Sequence, residues 1–177
     1  MRPIAELRAA WGSAPRPAIA LEDAIEAGAL ADLRRRFEQA QPRAHWLAHR
    51  ARCSRATLEP GPIGDRLRAL AEAVTGAVLA IRRVEARRFD LGDYALLAND
   101  EEAPGFELCL DFSERSGARS GIVYCAGRRP YFVMPQQPGA VVLVQRGPDT
   151  RSFMPYLQRF AGAAAPRVYL LRIRLEP

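Results

Sequence analysis

The sequence has few of the side chains that bind transition metals. Its two histidines are His45 and His49, so no histidine occurs from residue 50 onward. The three cysteines lack the CxxC spacing of a zinc site; they are Cys53, Cys109 and Cys125. This spacing excludes a structural zinc site built on cysteine pairs. It predicts reduced, partly buried thiols in a cytoplasmic protein.

Long apolar runs are also absent. No run approaches the roughly 18–20 residues that a membrane-spanning helix needs. Residues 1–17 lack the apolar region of a secretory leader. We therefore expect a cytoplasmic protein that has no contact with membranes.

Lysine is missing, and all 26 basic residues are arginine. Together with the abundant alanine, this usage is typical of a GC-rich bacterial genome. The net charge is +6, but the arginines are spread in pairs such as Arg82-Arg83, with no basic tail or aromatic-basic repeat. Nucleic acid is therefore not an expected partner.

The first half of the chain is mainly helical in pattern. Residues 1–16 are rich in proline and alanine and predict a loosely held arm. Within residues 17–82 we predict a strand at Pro17–Leu21 and flanking helices at Ala27–Gln39 and about Pro62–Ile81. Both helices carry apolar residues at helical spacing, and Pro62 suits a first turn.

The pattern changes to strand-like alternation in residues 83–177. Phe106, Leu108, Leu110 and Phe112 alternate with polar residues, which indicates a half-buried strand. Further strand candidates are 122–124, 131–133, 141–144 and 167–175. Helices followed by closely spaced strands predict a single α+β, mainly β domain over residues 1–177, with helices packed on an antiparallel sandwich or barrel.

Four segments of this second half are familiar in their order. Phe89–Asp100 contains Gly-Asp-Tyr and is followed by residues 107–112, 119–124 and 133–143. Together they resemble the catalytic core of 2-oxoglutarate/Fe(II) oxygenases of the prolyl 4-hydroxylase type. The resemblance implies a double-stranded β-helix (jelly roll) with N-terminal flanking helices. It also implies an iron held by two histidines and one carboxylate, with open positions for 2-oxoglutarate and oxygen.

Carried over position by position, the metal ligands are largely replaced. The first histidine becomes Ala98 and the carboxylate becomes Asp100. The second histidine becomes Arg151, judged by spacing to Pro155, or Tyr156, judged by spacing to the clamp described next. Alanine has no donor atom, and arginine is a permanent cation that repels a divalent metal. We therefore expect a degenerate site without iron.

The family also has a basic residue near the end of the core that clamps the carboxylate of its cosubstrate. That position becomes Arg167, and Tyr94 and Tyr124 of the matched segments are carried over as cofactor-binding residues. 2-Oxoglutarate or another carboxylate is the expected ligand. The alternative is an arginine at a strand start that reaches into water.

Strand alternation supports the clamp. Arg167 shares one face with Tyr169 and with the apolar residues that follow it, and we expect that face to point inward. Arg172 and Arg174 fall on the other face.

Two other groups are candidate metal ligands. On a helix, His45 and His49 would share one face; the alternative is two polar residues flanking a buried Trp46. Asp100 begins an acidic cluster with Glu101 and Glu102, which is either a metal site or a solvated loop. We expect Asp100 to form a salt bridge with Arg151, so that a protein cation fills the vacated metal position.

The sequence thus predicts an oxygenase-like pseudoenzyme that has lost both metal-binding histidines. It would act as a binding or helper subunit for an active homologue, a carrier protein or a peptide, or bind a small carboxylate. The alternative is an active 2-oxoglutarate-dependent dioxygenase or hydroxylase with a rearranged metal site involving Asp100. No catalytic residue is assigned.

Overall fold

The structure, a computed structural model, describes residues 2–22, 24–96, 104–114, 121–158 and 167–177. The described part of the chain contains three helices: α1 (Ile4–Ser13), α2 (Ala27–Gln39) and α3 (Gly61–Thr75). The prediction for α2 is confirmed in both of its bounds.

The described strands, in chain order, are β1 (Ala18–Leu21), β2 (Arg43–Leu47), β3 (Ala51–Thr57), β4 (Ala80–Phe89), β5 (Tyr94–Ala95), β6 (Gly105–Asp111), β7 (Val123–Ala126), β8 (Arg129–Val133), β9 (Val141–Arg146), β10 (Thr150–Phe153) and β11 (Val168–Glu176).

The strands form two antiparallel sheets. The large sheet has the order β1-β9-β6-β11-β4-β3-β2, and β5 also pairs with β3. The small sheet has the order β10-β7-β8. A bridge between Ala95 and Met154 joins the two sheets at one side. Non-consecutive neighbours such as β6 and β11 are the crossovers expected of a jelly roll.

Two apolar cores hold these layers together. The first lies between the helices and the large sheet and includes Leu33, Phe37 and Leu171. The second lies between the two sheets and includes Tyr124 and Leu170. The large sheet is therefore covered on both faces, which explains why its central strands are buried along most of their length.

The N-terminal segment corrects one prediction. Residues 1–16 are not a loosely held arm, because α1 buries Leu7 and Trp11 in the first core. Arg8 also donates hydrogen bonds of 3.1 Å and 2.6 Å to the backbone oxygen of Ala73, near the end of α3. The proline and alanine content concealed an amphipathic helix whose two large apolar residues are four positions apart.

The second predicted helix is too long. It ends at Thr75, because Gly76 adopts a left-handed conformation (φ 76°) that closes the last turn. The chain then enters β4, which begins at Ala80 and occupies part of the predicted helix. The polar, arginine-rich residues 41–60 have no pattern typical of a helix or strand, yet they contain the antiparallel hairpin of β2 and β3.

In the part of the chain that the structure describes, no helix is both long and apolar enough to cross a membrane.

Candidate functional site

The last strand presents two arginines to the space between the sheets. Arg172 and Arg174 of β11 lie on the face that looks toward the small sheet, where both contact Glu107. On the opposite face of β11, Tyr169, Leu171 and Ile173 belong instead to the core beneath the helices. Arg172 and Arg174 thus lie on the face opposite Tyr169 and Leu171, as predicted. Both faces of the strand are covered, however, so the apolar face packs against the helices and the face with the arginines lies between the sheets.

A fully buried carboxylate is the centre of this interior site. Arg172 donates from Nε to Oε1 of Glu107 and from Nη2 to Oε2, both at 3.0 Å, in the two-pronged geometry of arginine with a carboxylate. Arg146 donates from Nη1 to Oε2 at 3.0 Å, and Arg174 places Nη1 2.8 Å from the same oxygen. Neighbouring strands β9, β6 and β11 bring these three cations to one anion.

The small sheet completes the arrangement. Tyr124 of β7 donates its hydroxyl hydrogen to Oε1 of Glu107 at 2.8 Å. Arg172 also donates to Oγ of Ser152, at 3.1 Å, and Arg146 donates to the backbone oxygen of Thr150, at 3.1 Å. We call the set of Glu107, Tyr124, Arg146, Arg172 and Arg174 the Glu107 cluster.

The cluster changes the acidity of its members. Burial alone would raise the pKa of Glu107, but the guanidinium groups of Arg172 and Arg174 outweigh it and lower that pKa to about 2. Burial lowers the pKa of Arg146, and the nearby cations Arg174 and Arg172 lower it further. Burial and the charge of Glu107 raise the pKa of Tyr124, so Tyr124 stays protonated and remains a donor.

A small cavity lies beside the cluster. Its volume is about 20 Å³, which is room for about one water molecule. Its walls are mostly apolar; they include Phe89, Ala95, Ile122, Met154, Leu170 and Arg172. A ligand the size of a dicarboxylate does not fit this cavity without movement of its walls.

The donors near the cavity do not suit iron. The buried side chains of β10 and the residue after it are Thr150, Ser152 and Met154, which offer two hydroxyls and a thioether. A non-haem Fe(II) site of the expected kind needs two imidazoles and a carboxylate. Among the described residues, no group of three or more histidine, cysteine or acidic side chains is placed to hold a metal ion. The described residues therefore do not fit this iron site.

The predicted ligand positions are only partly within the described residues. Ala98, Asp100, Glu101 and Glu102 lie outside them, so the salt bridge from Asp100 to Arg151 stays a prediction. Arg151 itself donates from Nη1 to the backbone oxygens of Pro148, at 3.0 Å, and Thr150, at 3.1 Å.

The competing position, Tyr156, is half-exposed. Its ring stacks on that of Tyr94, with centroids 4.2 Å apart.

The three predicted cofactor-binding residues occupy different places. Tyr124 belongs to the Glu107 cluster. Arg167 is 58% exposed and donates from Nε to Oδ1 of Asp90 at 2.8 Å, on the same strand face as Tyr169. Tyr94 lies against Tyr156, outside the interior. Their role in cofactor binding stays a prediction, and of the three it is Tyr124 that reaches the space between the sheets.

The two histidines lie on the β2–β3 hairpin and not on a helix. His45 is in β2, opposite Cys53, and His49 is in the turn with a left-handed conformation (φ 60°). Trp46, expected to be buried, is 77% exposed. The strand geometry therefore removes the shared helical face on which the proposed histidine metal site depended.

Comparison with known proteins finds solved structures with a similar fold but no match to a protein family or to a curated protein. No protein-family model matches the chain, and no curated protein matches it. Solved structures do match. A 2OG-Fe(II) oxygenase family oxidoreductase from Burkholderia pseudomallei superposes with a TM-score of 0.72 at 13% identity, over 99% of this chain and 91% of that one.

Two further solved structures also superpose on this chain. A prolyl-4-hydroxylase from Pseudomonas putida gives a TM-score of 0.68 at 13% identity, over 96% of this chain and 98% of the other. HygX from Streptomyces hygroscopicus, solved with nickel and 2-oxoglutarate bound, gives 0.60 at 13% identity, over 100% and 87% of the two chains. The chain therefore has the fold of the 2-oxoglutarate/Fe(II) oxygenases, and the predicted double-stranded β-helix is confirmed.

Proposed function

We propose that this chain is a non-catalytic protein on an oxygenase fold, a pseudoenzyme that acts as a binding or helper subunit. The observation that carries the proposal is the Glu107 cluster. It fills the space between the sheets with the protein's own charges. In the family that the sequence resembles, a basic residue near the end of the core holds the carboxylate of the cosubstrate. Here Arg172, on the last strand, already holds a carboxylate through two hydrogen bonds, and that carboxylate is Glu107.

The energetics favour retention of this internal pair. Removal of Glu107 from Arg172 would leave buried cations without their counter-charge, at a cost of about 3–5 kcal/mol. A free dicarboxylate must therefore displace the carboxylate of Glu107. Because Glu107 is part of the chain, it loses no translational entropy when it pairs with the arginines. We infer that 2-oxoglutarate binds weakly at this place, and that a small carboxylate, if it binds, does so elsewhere, for example at Arg167.

A second line of support is the donor set. The sequence has no histidine from residue 50 onward, and the described side chains beside the cavity are apolar, hydroxyl or cationic. Arginines near a metal position repel a divalent ion. Loss of iron chemistry with retention of the scaffold is the proposal that accounts for both features.

Exposed apolar side chains support a binding role. Trp46 and Leu47 of the β2–β3 hairpin are 77% and 47% exposed, and Tyr156 is 50% exposed. Large exposed apolar side chains are candidate contact positions for a protein partner. The partner classes we propose are an active homologue, a carrier protein or a peptide.

Metal and turnover measurements test the proposal. The protein is loaded anaerobically with Fe(II), desalted and analysed for iron by mass spectrometry, and succinate formation from 2-oxoglutarate is then measured with oxygen present. We expect iron well below one equivalent and no succinate above a protein-free blank. One equivalent of iron together with succinate, both lost in Asp100→Ala, would establish the alternative, an active oxygenase with a rearranged metal site.

A ligand-binding measurement tests the carboxylate. The melting temperature is followed with 2-oxoglutarate for the wild type, Arg167→Ala and the control Arg82→Ala, whose side chain pairs with Glu176 on the surface. A stabilisation that is lost in Arg167→Ala alone would support a retained carboxylate pocket at Arg167.

A further inference from the structure

A row of arginines crosses strands β2, β3 and β4 of the large sheet. Arg43 of β2 lies directly opposite Arg55 of β3, and Arg55 lies directly opposite Arg87 of β4. Directly opposed like charges in adjacent strands destabilise a sheet unless a counter-charge lies close to them. This row needs such a counter-charge.

Glu85 supplies the counter-charge within the chain. Arg55 and Arg83 each place Nη2 2.6 Å from its Oε2, and Nε of Arg87 pairs with its Oε1. Burial raises the pKa of Glu85, but Arg87, Arg55 and Arg83 outweigh it and lower the pKa, so this carboxylate is ionised at neutral pH. The two oxygens of Glu85 are thus shared by three guanidinium groups.

The charges do not balance. Three arginines face the single carboxylate of Glu85, which leaves a net charge of +2, and in the described part of the chain no other carboxylate pairs with them. Arg43 is exposed and adds a further positive charge beside Arg55. The excess is local, because Glu85 is buried and its partners lie on two neighbouring strands, Arg55 on β3 and Arg83 and Arg87 on β4.

The excess charge is open to solvent. Side-chain exposure rises from 10% at Arg87 to 26% at Arg55 and 51% at Arg83. A groove of about 330 Å³ lies at the sheet edge where β2 begins and β3 ends. Its walls include Gln41, Arg43, His45, Arg55 and Thr57, so it reaches Arg55 but is not lined by Arg83. This volume is in the range of small-ligand sites.

The geometry suits an oxyanion. Arg55 and Arg83 reach the same carboxylate oxygen, which brings their two guanidinium groups close together. Guanidinium groups bind phosphoryl and carboxylate oxygens through paired hydrogen bonds. A phosphoryl group carries nearly two negative charges at neutral pH and matches the net charge of the cluster, whereas a single carboxylate does not.

We propose that Arg55 and Arg83, with Arg43 beside Arg55, form a binding site for a phosphoryl group across strands β2, β3 and β4 of the large sheet, with Glu85 as the residue that orients Arg55 and Arg83. The site adjoins the Glu107 cluster, since Glu85 and Arg83 lie directly opposite Arg172 and Arg174 of β11. It does not depend on whether the chain is catalytic.

Calorimetric titration with inorganic phosphate, at constant ionic strength set with chloride, tests the site. We expect one phosphate per chain. Affinity should fall at least about tenfold in Arg55→Ala and in Arg83→Ala, since each removes a charge-assisted hydrogen bond. Arg82→Ala is the matched control: its side chain is the neighbour of Arg83 in sequence, pairs with Glu176 and should leave the affinity unchanged.

Two further measurements keep the test decisive. Glu85→Gln should bind phosphate more tightly than the wild type, because the guanidinium groups lose their internal competitor. A phosphoserine peptide and its unphosphorylated form distinguish a protein-borne phosphoryl group from free phosphate. Equal loss of affinity in Arg82→Ala and Arg83→Ala, or binding of succinate but not phosphate, would overturn the proposal. Circular dichroism establishes that each variant is folded.

Discussion

Arg172 and Glu107 form a two-pronged ion pair between the central strands β11 and β6, with both hydrogen bonds at 3.0 Å and the carboxylate fully buried. The pair lies in the layer where a jelly roll would otherwise have room for a ligand. Three cations and a tyrosine hydroxyl contact the same carboxylate, so Glu107 is the shared partner of the charged and polar side chains in this layer.

Glu107→Ala should therefore destabilise the protein strongly. It leaves Arg146 and Arg172 buried without their shared anion, and we expect the free energy of unfolding to fall by about 3–5 kcal/mol. Urea denaturation followed by circular dichroism measures this change. Glu176→Ala, which removes the surface pair with Arg82, is the control and should change stability by less than about 1 kcal/mol. Similar losses in both variants would contradict a special role for the buried pair.

Acid should weaken the cluster within a defined pH range. The pKa of Glu107 is lowered from 4.5 to about 2, so the folded state binds its proton less readily than the unfolded state. The stabilisation is therefore complete above about pH 4.5 and is lost as the pH falls toward 2. We expect the stability difference between the wild type and Glu107→Gln to shrink across this range. A difference that is constant from pH 6 down to about pH 2.5 would rule out the lowered pKa.

Tyr124→Phe isolates one hydrogen bond of the cluster. The hydroxyl donates to a buried, ionised carboxylate, and loss of such a bond costs about 1.5–3 kcal/mol. The free energy of unfolding, measured by urea denaturation at neutral pH, should fall by that amount. Tyr156→Phe alters a half-exposed tyrosine and should have an effect within about 0.5 kcal/mol. A neutral Tyr124→Phe would mean that water replaces the hydroxyl.

The fold was predictable from the sequence where the patterns have one exposed face. Leu30, Leu33 and Phe37 define α2 because its opposite face is solvated, and its bounds are as predicted. The β2–β3 hairpin was missed because its residues are rich in arginine, and arginine gives no clear alternation of apolar and polar side chains. The hairpin is held in place because β3 pairs with β4, and such pairing between distant segments is a tertiary effect.

The interior site was not predictable in the same way. Glu107 and Arg172 lie at polar positions of alternating strands, and alternation assigns such positions to solvent. Both become buried because the small sheet covers that face, and its position follows from pairings distant in sequence. One signal was available: two central strands carried opposite charges, Glu107 in one and Arg172 in the other, at their polar positions.

Gly121→Ala should disturb the small sheet. A Cβ atom at this position would lie 2.1 Å from the backbone oxygen of Met134, so the backbone must move. We expect a loss of about 1–3 kcal/mol, measured by thermal or urea unfolding. Gly28→Ala is the matched control, since a Cβ there has no neighbour within 4 Å and lies in the first turn of α2. That change should stabilise the protein by up to about 1 kcal/mol.

The three thiols should be unreactive until the protein unfolds. All are free and buried, in agreement with the prediction of reduced thiols. Burial raises the pKa of Cys53 to about 11, and burial together with the charge of Glu107 raises that of Cys109. Burial also raises the pKa of Cys125. Because the thiolate is the reactive form, a disulfide reagent at about pH 8 should label none of them rapidly, and all three in denaturant. Glu107→Gln, if folded, should label faster at Cys109, since both the negative charge and part of the local stability are lost. Rapid labelling of Cys109 in the native wild type would show that the space between the sheets opens readily, which would also weaken the case for a filled, non-catalytic interior.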